Sequence, residues 1–275
     1  MTTAGVSLMR VGGRDLRVAH WRLDMPSPHL PVLFFNGIGA NIEAVAPLAE
    51  ALDDRGFVMF DMPGVGGSPE PVVPYNPFTM SWTAARLLNE LKLEEVDVMG
   101  VSWGGAMAQH FALQHGGRVR RLILAATTAG MLMVPGTPAA LSKMADPRRY
   151  VDAAFMEKHF TTLYGEGLGR SDGKAAHMGR LTPPSRRGYF YQLIAMLGWT
   201  SAPALPFLRK PVLIMMGDED RIVPLVNGRI LNSLIPNSEL EIFEGGGHLF
   251  LLSHREQSIS CMRAFLDREE QREAA

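Results

Sequence analysis

The chain has 275 residues, 47% of them hydrophobic, which suits one α/β domain with an insertion better than two separate domains. Net charge is −1 and the 27 basic residues are spread along the chain, so no electrostatic footprint for nucleic acid or anionic lipid is present. A single cysteine, Cys261, excludes an intrachain disulfide framework and a cysteine-rich metal site.

The N-terminal stretch MTTAGVSLMRVGGRDLRVAH has no apolar core and no cleavage signature of a secretory signal. The most apolar stretch, Leu122–Pro135, is too short to span a bilayer and is interrupted by Thr127, Thr128 and Gly130. A soluble cytoplasmic protein without a transmembrane segment is expected. In chain order, residues 5–23 predict an antiparallel hairpin turning at Gly12 and Gly13. The run Pro31–Phe35 predicts a buried strand, followed by the loop Asn36-Gly37-Ile38-Gly39-Ala40-Asn41 and a helical pattern over Ile42–Leu52. Phe57–Phe60 predicts the next strand. After it, Asp61-Met62-Pro63-Gly64-Val65-Gly66-Gly67-Ser68 reads as a structural turn at the rim. A helix over Met80–Leu91 and a strand over Val96–Gly100 come next.

That strand runs into Gly100-Val101-Ser102-Trp103-Gly104, and a helical pattern over Trp103–Gln114 begins at once. A G-x-S-x-G between strand and helix is a nucleophile elbow: the serine sits on a strained turn, and side chains two positions away would clash with strand and helix. The helix N-terminus beneath Ser102 favours developing negative charge. The bare motif is also compatible with a glycine-rich turn and an N-capping serine, but the strand–turn–helix context selects a nucleophile.

Leu122–Ala126 predicts a further strand, and then the alternation stops. Residues 131–205, rich in Pro, Met and aromatics, predict a helical cap over the carboxyl edge of the sheet, where open α/β sheets bind their ligands. Residues 1–130 and 206–275 form the core. Strand Val212–Met216 is followed by Gly217-Asp218-Glu219-Asp220-Arg221-Ile222-Val223-Pro224. Three acids compete here; in enzymes with this kind of serine elbow the acid lies three residues after the glycine, just before a turn ending in Val-Pro, which selects Asp220 as the acid partner, with Asp218 in reserve. Strand Leu240–Phe243 leads to Gly245-Gly246-Gly247-His248 and then to a helix over Arg255–Arg268. The tail Asp267–Ala275 is charged and expected to fray. Of the eight histidines, only His248 has both the chain order and the loop position of a catalytic base. His20 lies in the hairpin, His110 and His115 lie on the helix after the elbow, and His159 and His177 lie in the cap. Strands alternating with helices predict an α/β fold with a mostly parallel central sheet flanked by helices.

These pieces define one mechanism. His248 takes the Ser102 proton, Asp220 holds the imidazole tautomer, and the backbone N–H groups of Ile38 and Trp103 form the oxyanion hole. Asn36 braces its loop, and Asn36, Gly37, Met131 and Trp199 are candidate substrate contacts. No metal or cofactor is expected, since neither a dinucleotide-binding nor a Walker sequence occurs.

FNGIGAN, DMPGVGGS, GVSWGG, LAATTAG with MVPGTP, DPRRY, YFYQLIAMLGWTS and GGGHLFL together resemble the α/β-hydrolase superfamily. Within it they resemble the intracellular poly(3-hydroxyalkanoate) depolymerases acting on medium-chain-length polyester. The likeness covers most of the chain, cap included, and carries Ser102, Asp220 and His248 over as the triad. It implies an α/β-hydrolase fold with a helical cap, polyester or oligoester of 3-hydroxy fatty acids as substrate, and a storage-granule surface as a place of work. Some intracellular depolymerases of short-chain polyester use a cysteine nucleophile; here the elbow carries serine and Cys261 lies in the terminal helix. The Met and aromatic residues of the cap suit an aliphatic chain, although such residues usually just pack cap on core. The pair Arg148–Arg149 reads as a solvated charge pair, with contact to a granule or to a carboxylate product as the other readings. The same triad also serves small-molecule esterases and lactonases, carbon–carbon bond hydrolases and cofactor-free perhydrolases, and a ligand-binding pseudo-hydrolase is the reading from another class.

Overall fold

A turn at Gly12-Gly13 joins β1 (Gly5–Val11) to β2 (Arg14–Trp21), and β2 enters the main sheet antiparallel to β4 (Phe57–Phe60). The computed structural model describes residues 4–146, 148–165 and 172–268. Pro147 of the DPRRY motif and residues 269–275 of the charged tail lie outside them. The eight-stranded sheet has the order β1-β2-β4-β3-β5-β6-β7-β8, with β3 (Val32–Phe35), β5 (Val96–Val101), β6 (Val119–Ala125), β7 (Val212–Gly217) and β8 (Ser238–Phe243). From β4 to β8 every pairing is parallel. The chain therefore has the α/β-type sheet that its alternating pattern predicts.

The inner strands are apolar on both faces because both are covered. On one face, Ile42 and Leu48 of α1 (Ile42–Ala51) meet Phe34 and Met99, with Met262 and Phe265 from the terminal helix. On the other, Met80 and Leu87 of α2 (Pro77–Glu90) and Met107 and Phe111 of α3 (Trp103–Gln114) pack on Leu33, Phe35 and Val98. Each such fully buried side chain contributes roughly 1.5–3 kcal/mol.

Three of the boundaries that differ from the sequence expectation have a local reason. β6 starts at Val119 because Arg120 and Arg121 are accommodated inside the strand: Arg120 Nε donates to buried Asp97 of β5 at 2.9 Å, and Arg121 is buried. β8 starts at Ser238 because an edge strand tolerates Glu239 and Glu241. α2 starts at Pro77 behind an Asn76 capping box, in which Thr79 N–H donates to Asn76 Oδ1 at 2.9 Å.

Between β6 and β7 the chain forms α4 (Pro138–Ala145), α5 (Arg148–Val151), α6 (Ala153–Tyr164), α7 (Asp172–Arg180) and α8 (Arg186–Ala195). Among the described residues this segment contributes no strand to the sheet. One antiparallel bridge, Gly130 with Thr200, closes its base. A helix not anticipated from sequence, α9 (Leu225–Leu234), follows β7, and α10 (Phe250–Ser253) and α11 (Arg255–Leu266) complete the chain.

Candidate active site

Ser102 sits between β5 and α3 with φ 55° and ψ −120°, a conformation that strains any residue bearing a Cβ. Its flanking glycines make the turn sterically feasible. A Cβ at Gly100 would overlap the Gly104 carbonyl, and one at Gly104 would overlap the carbonyls of Phe35 and Asn36. The elbow is pinned by Ser102 N–H donating to Ala125 O at 2.9 Å and by the Thr127 hydroxyl donating to Ser102 O at 2.7 Å. Trp103 is the first helical residue, so its N–H has no acceptor one turn earlier in α3.

The loops after β7 and β8 meet the elbow. His248 Nε2 lies 3.0 Å from Ser102 Oγ, and His248 Nδ1 lies 2.7 Å from Asp220 Oδ2. Both His248 and Asp220 are buried. The other carboxylate oxygen of Asp220 accepts from the N–H groups of Ile222 and Val223 at 2.8 and 2.9 Å, which locks the carboxylate's orientation. Asp218 points elsewhere: its Oδ1 accepts from Gly245 N–H at 2.7 Å, tying the acid loop to the histidine loop. Glu219 N–H adds a second tie to Gly246 O at 3.0 Å. A Cβ at Gly247 would overlap the Tyr164 carbonyl, so the end of α6 rests directly on the loop that carries His248.

The loop after β3 closes the remaining side. Asn36 braces it from within, donating through Nδ2 to Asn41 O at 3.0 Å and accepting from Gly37 N–H at 2.9 Å. A Cβ built at Gly37 would stand 3.8 Å from Ser102 Cβ, so this backbone flanks the serine. Gln192, buried on α8, accepts from Gly39 N–H at 2.8 Å through Oε1, and its carbonyl accepts from the Trp103 indole at 2.9 Å. Sequence reasoning missed this residue. A glutamine inside the apolar-rich YFYQLIAML segment was the available signal, since a buried amide needs partners.

The D-x-P-G turn is a brace. Buried Asp61 accepts from the N–H groups of Ile42 and Gly67 at 2.8 and 2.9 Å and from Arg17 at 3.1 Å. It thereby caps α1 beside the Asn36–Asn41 loop. Burial raises the Asp61 pKa, against the lowering effect of these donors.

A cavity joins these parts. Asn36, Gly37, Ile38, Ser102 and His248 line one end of it. Phe34, Val45, Leu48, Leu249 and Leu252 line the core side, and the lining continues to exposed Arg255 at the start of α11. Met144, Arg149, Met156, Tyr164, His177 and Leu181 supply the opposite wall from the inserted helices. Two of the anticipated substrate contacts are elsewhere. Met131 is 63% exposed, with its N–H on the Trp199 carbonyl, and the Trp199 indole donates to His110 Nδ1 at 3.1 Å. The Gly130–Thr200 bridge holds both residues at the base of the insertion, away from the cavity lining. The solvated Arg148–Arg149 pair also needs correction. Arg148 is exposed and pairs with Asp146 at 2.7 Å, whereas Arg149 is buried, lines the cavity, and donates to Tyr164 Oη at 3.3 Å.

A family model described as alpha/beta hydrolase fold matches residues 31–255. The poly(3-hydroxyalkanoate) depolymerase of Ectopseudomonas oleovorans is 46% identical over 248 residues, covering 89% of this chain and 87% of that protein. The 2-hydroxymuconate semialdehyde hydrolase of Pseudomonas putida is 28% identical over 274 residues, covering 92% and 94% of the two chains. The crystal structure of a hydrolase from Pseudomonas aeruginosa PA01 superposes with a TM-score of 0.79 at 21% identity, covering 96% of this chain and 99% of that one, a likeness of fold.

Proposed function

We propose that this chain, which belongs to the alpha/beta hydrolase fold family, cleaves carboxylic esters through an acyl-enzyme at Ser102, and that its substrates are polyesters or oligoesters of 3-hydroxy fatty acids. The reading is carried by the continuous hydrogen-bond path Ser102 Oγ, His248 Nε2, His248 Nδ1, Asp220 Oδ2 at 3.0 and 2.7 Å. In it, His248 removes the hydroxyl proton as Oγ attacks the ester carbonyl. Asp220 stabilises the imidazolium, and the N–H groups of Ile38 and Trp103 receive the oxyanion. The imidazolium then protonates the departing alkoxide. Water, deprotonated by the same ring, attacks the acyl-enzyme and frees the acid.

Residues 131–205 act as a lid over residues 1–130 and 206–275, and the apolar length of the cavity holds the aliphatic chain. The 46% identity to a named depolymerase supports the substrate class. Work in the cytoplasm at a storage-granule surface fits exposed apolar side chains such as Phe78, Phe190, Leu193 and Leu197. Among the described residues no helix is long and apolar enough to cross a membrane.

Side-by-side hydrolysis of 3-hydroxyoctanoate oligomers and short nitrophenyl esters tests the proposal. Turnover of the oligomers is expected. Turnover of acetyl esters alone moves the chain to small-ester chemistry, and failure of a fluorophosphonate to label the wild type would make it a binding protein.

A further inference from the structure

Arg149, Tyr164 and His177 are polar side chains that the inserted helices place in the cavity wall. The first two meet each other: Arg149 Nη2 donates to Tyr164 Oη at 3.3 Å. His177, on α7, is 8% exposed, and its Nδ1 is buried with no hydrogen-bond partner among the described residues. Buried polar atoms are almost always paired, so an orphaned ring nitrogen on a side chain that lines a ligand cavity calls for a ligand atom. Burial, reinforced by Arg180, pushes the imidazole pKa down to about 4, so the ring is neutral at pH 7. A neutral ring nitrogen accepts or donates one hydrogen bond, according to the tautomer. A ligand hydroxyl serves both cases, because it too both donates and accepts; a hydrocarbon serves neither. The place of His177 narrows which hydroxyl this is. The end of α7 is tied to the loop after β3: Asn41 Nδ2 donates to Arg180 O at 3.0 Å, and Thr182 N–H donates to Asn41 Oδ1 at 3.2 Å. His177 stands one helical turn before Leu181, which also lines the cavity. The same loop carries Ile38, whose N–H the hydrolytic mechanism gives to the ester carbonyl. A hydroxyl within reach of this turn is therefore one set close to the reacting carbonyl along the acyl chain, while Val45, Leu48, Leu249 and Leu252 meet hydrocarbon.

We infer that His177 is a specificity-determining residue that hydrogen-bonds the free 3-hydroxyl of the acyl group whose carbonyl Ser102 attacks. This rests on the ester-hydrolase reading and deepens it. The hydroxyl of a 3-hydroxyacyl group sits on the second carbon beyond the carbonyl, which is the short separation that the docking of α7 on the Ile38 loop asks for. An acyl chain without it leaves the ring nitrogen unpaired in the complex, and a site built round a substrate hydroxyl rejects the analogue that lacks it. The site therefore tells esters of 3-hydroxy fatty acids from plain fatty acyl esters of the same length. The chemical step is unchanged, and His177 acts by binding.

Methyl 3-hydroxyoctanoate and methyl octanoate, hydrolysed side by side by the full chain, test it. The hydroxy ester is expected to have the higher kcat/KM, by roughly tenfold to a hundredfold. In His177→Leu the ratio should fall towards one. In His177→Asn, whose amide keeps an acceptor and a donor, part of the preference should return. Because the ratio is taken within each variant, a reduced folded fraction cancels. A second readout does not need turnover: in calorimetric titration 3-hydroxyoctanoate should bind more tightly than octanoate, with the preference lost in His177→Leu. A wild-type kcat/KM ratio near one, or a ratio that His177→Leu leaves unmoved, overturns the inference while leaving ester hydrolysis standing. Absence of turnover of both esters together with absence of fluorophosphonate labelling instead removes the hydrolase reading. The titration then decides for His177, and equal binding or no binding of the two acids overturns the inference as well.

Discussion

The two walls of the cavity are built differently. On the sheet side, Ser102, Asp220 and His248 hang from loops at the carboxyl ends of β5, β7 and β8, and main-chain hydrogen bonds pin those loops to one another. On the opposite side, Met144, Arg149, Met156 and His177 project from helices that have no place in the sheet and dock on its loops through contacts such as Gln192 on Gly39, Asn41 on the Arg180 carbonyl and Tyr164 on Gly247. A wall fixed by a hydrogen-bonded lattice suits groups that must meet within hydrogen-bonding distance. A wall of packed short helices suits groups that shape and select a ligand. Substitutions on the first should therefore act on kcat, and those on the second on affinity and stability.

The sharpest division is expected at the nucleophile. Ser102→Ala should reduce ester turnover by about 10⁵-fold, with fluorophosphonate labelling abolished and the thermal midpoint shifted by no more than about 2 °C, because one hydroxyl is removed. A strongly lowered midpoint would show that the elbow serine is structural. Next, Asp220→Asn should lower kcat by about 10⁴-fold through the wrong imidazole tautomer, whereas Asp218→Asn should cost about tenfold or less, since it only ties two loops together. If Asp218→Asn proves the more damaging in the same assay, the acid assignment is reversed.

The helical wall yields a pH effect. His177 has its ordinary value of 6.5 when unfolded and about 4 when folded, so between these the unfolded chain binds more protons. Stability contributed by the neutral ring is present above 6.5 and is lost as pH falls towards 4, by about 3 kcal/mol in full. Urea unfolding at pH 7 and pH 4.5 should show a smaller acid loss in His177→Gln than in the wild type. The mildest change is Gln192→Ala: although Gln192 sits on α8, it acts on the sheet-side wall by accepting from Gly39 N–H, so its loss should lower kcat about threefold by loosening the loop of Ile38. An effect on KM alone would place Gln192 with the selecting wall instead.

Much of the core was readable from residues. The buried strands are continuous apolar runs, and the elbow glycines sit two positions from Ser102, where local sterics require them. That Asp220 and His248 would meet Ser102 was readable from chain order, though not from any local contact. Misreadings cluster where partners are distant. The start of β6 was obscured by Arg120 and Arg121, whose acceptors, Asp97 on the neighbouring strand and the Arg268 carbonyl, are remote in sequence. α9 was missed because LVNGRILNSL mixes glycine, asparagine and serine into a helix that packs against β7 through Gly228 over Met216. Arg148 and Arg149 look alike in sequence, yet one turns to solvent and the other into the cavity, because successive helical residues point roughly 100° apart.

Strand-and-helix alternation, the steric demands of a tight turn and the order of Ser102, Asp220 and His248 along the chain are local or one-dimensional properties, so residues alone suffice to read them. Which of several acids, arginines and aromatics faces the serine depends on how the inserted helices settle on the loops of the sheet. Burial and pairing of Arg149, His177 and Gln192 are consequences of that docking, and so is the displacement of Met131 and Trp199 to the base of the insertion. Contacts between side chains far apart along the chain arise only once the backbone has brought them together.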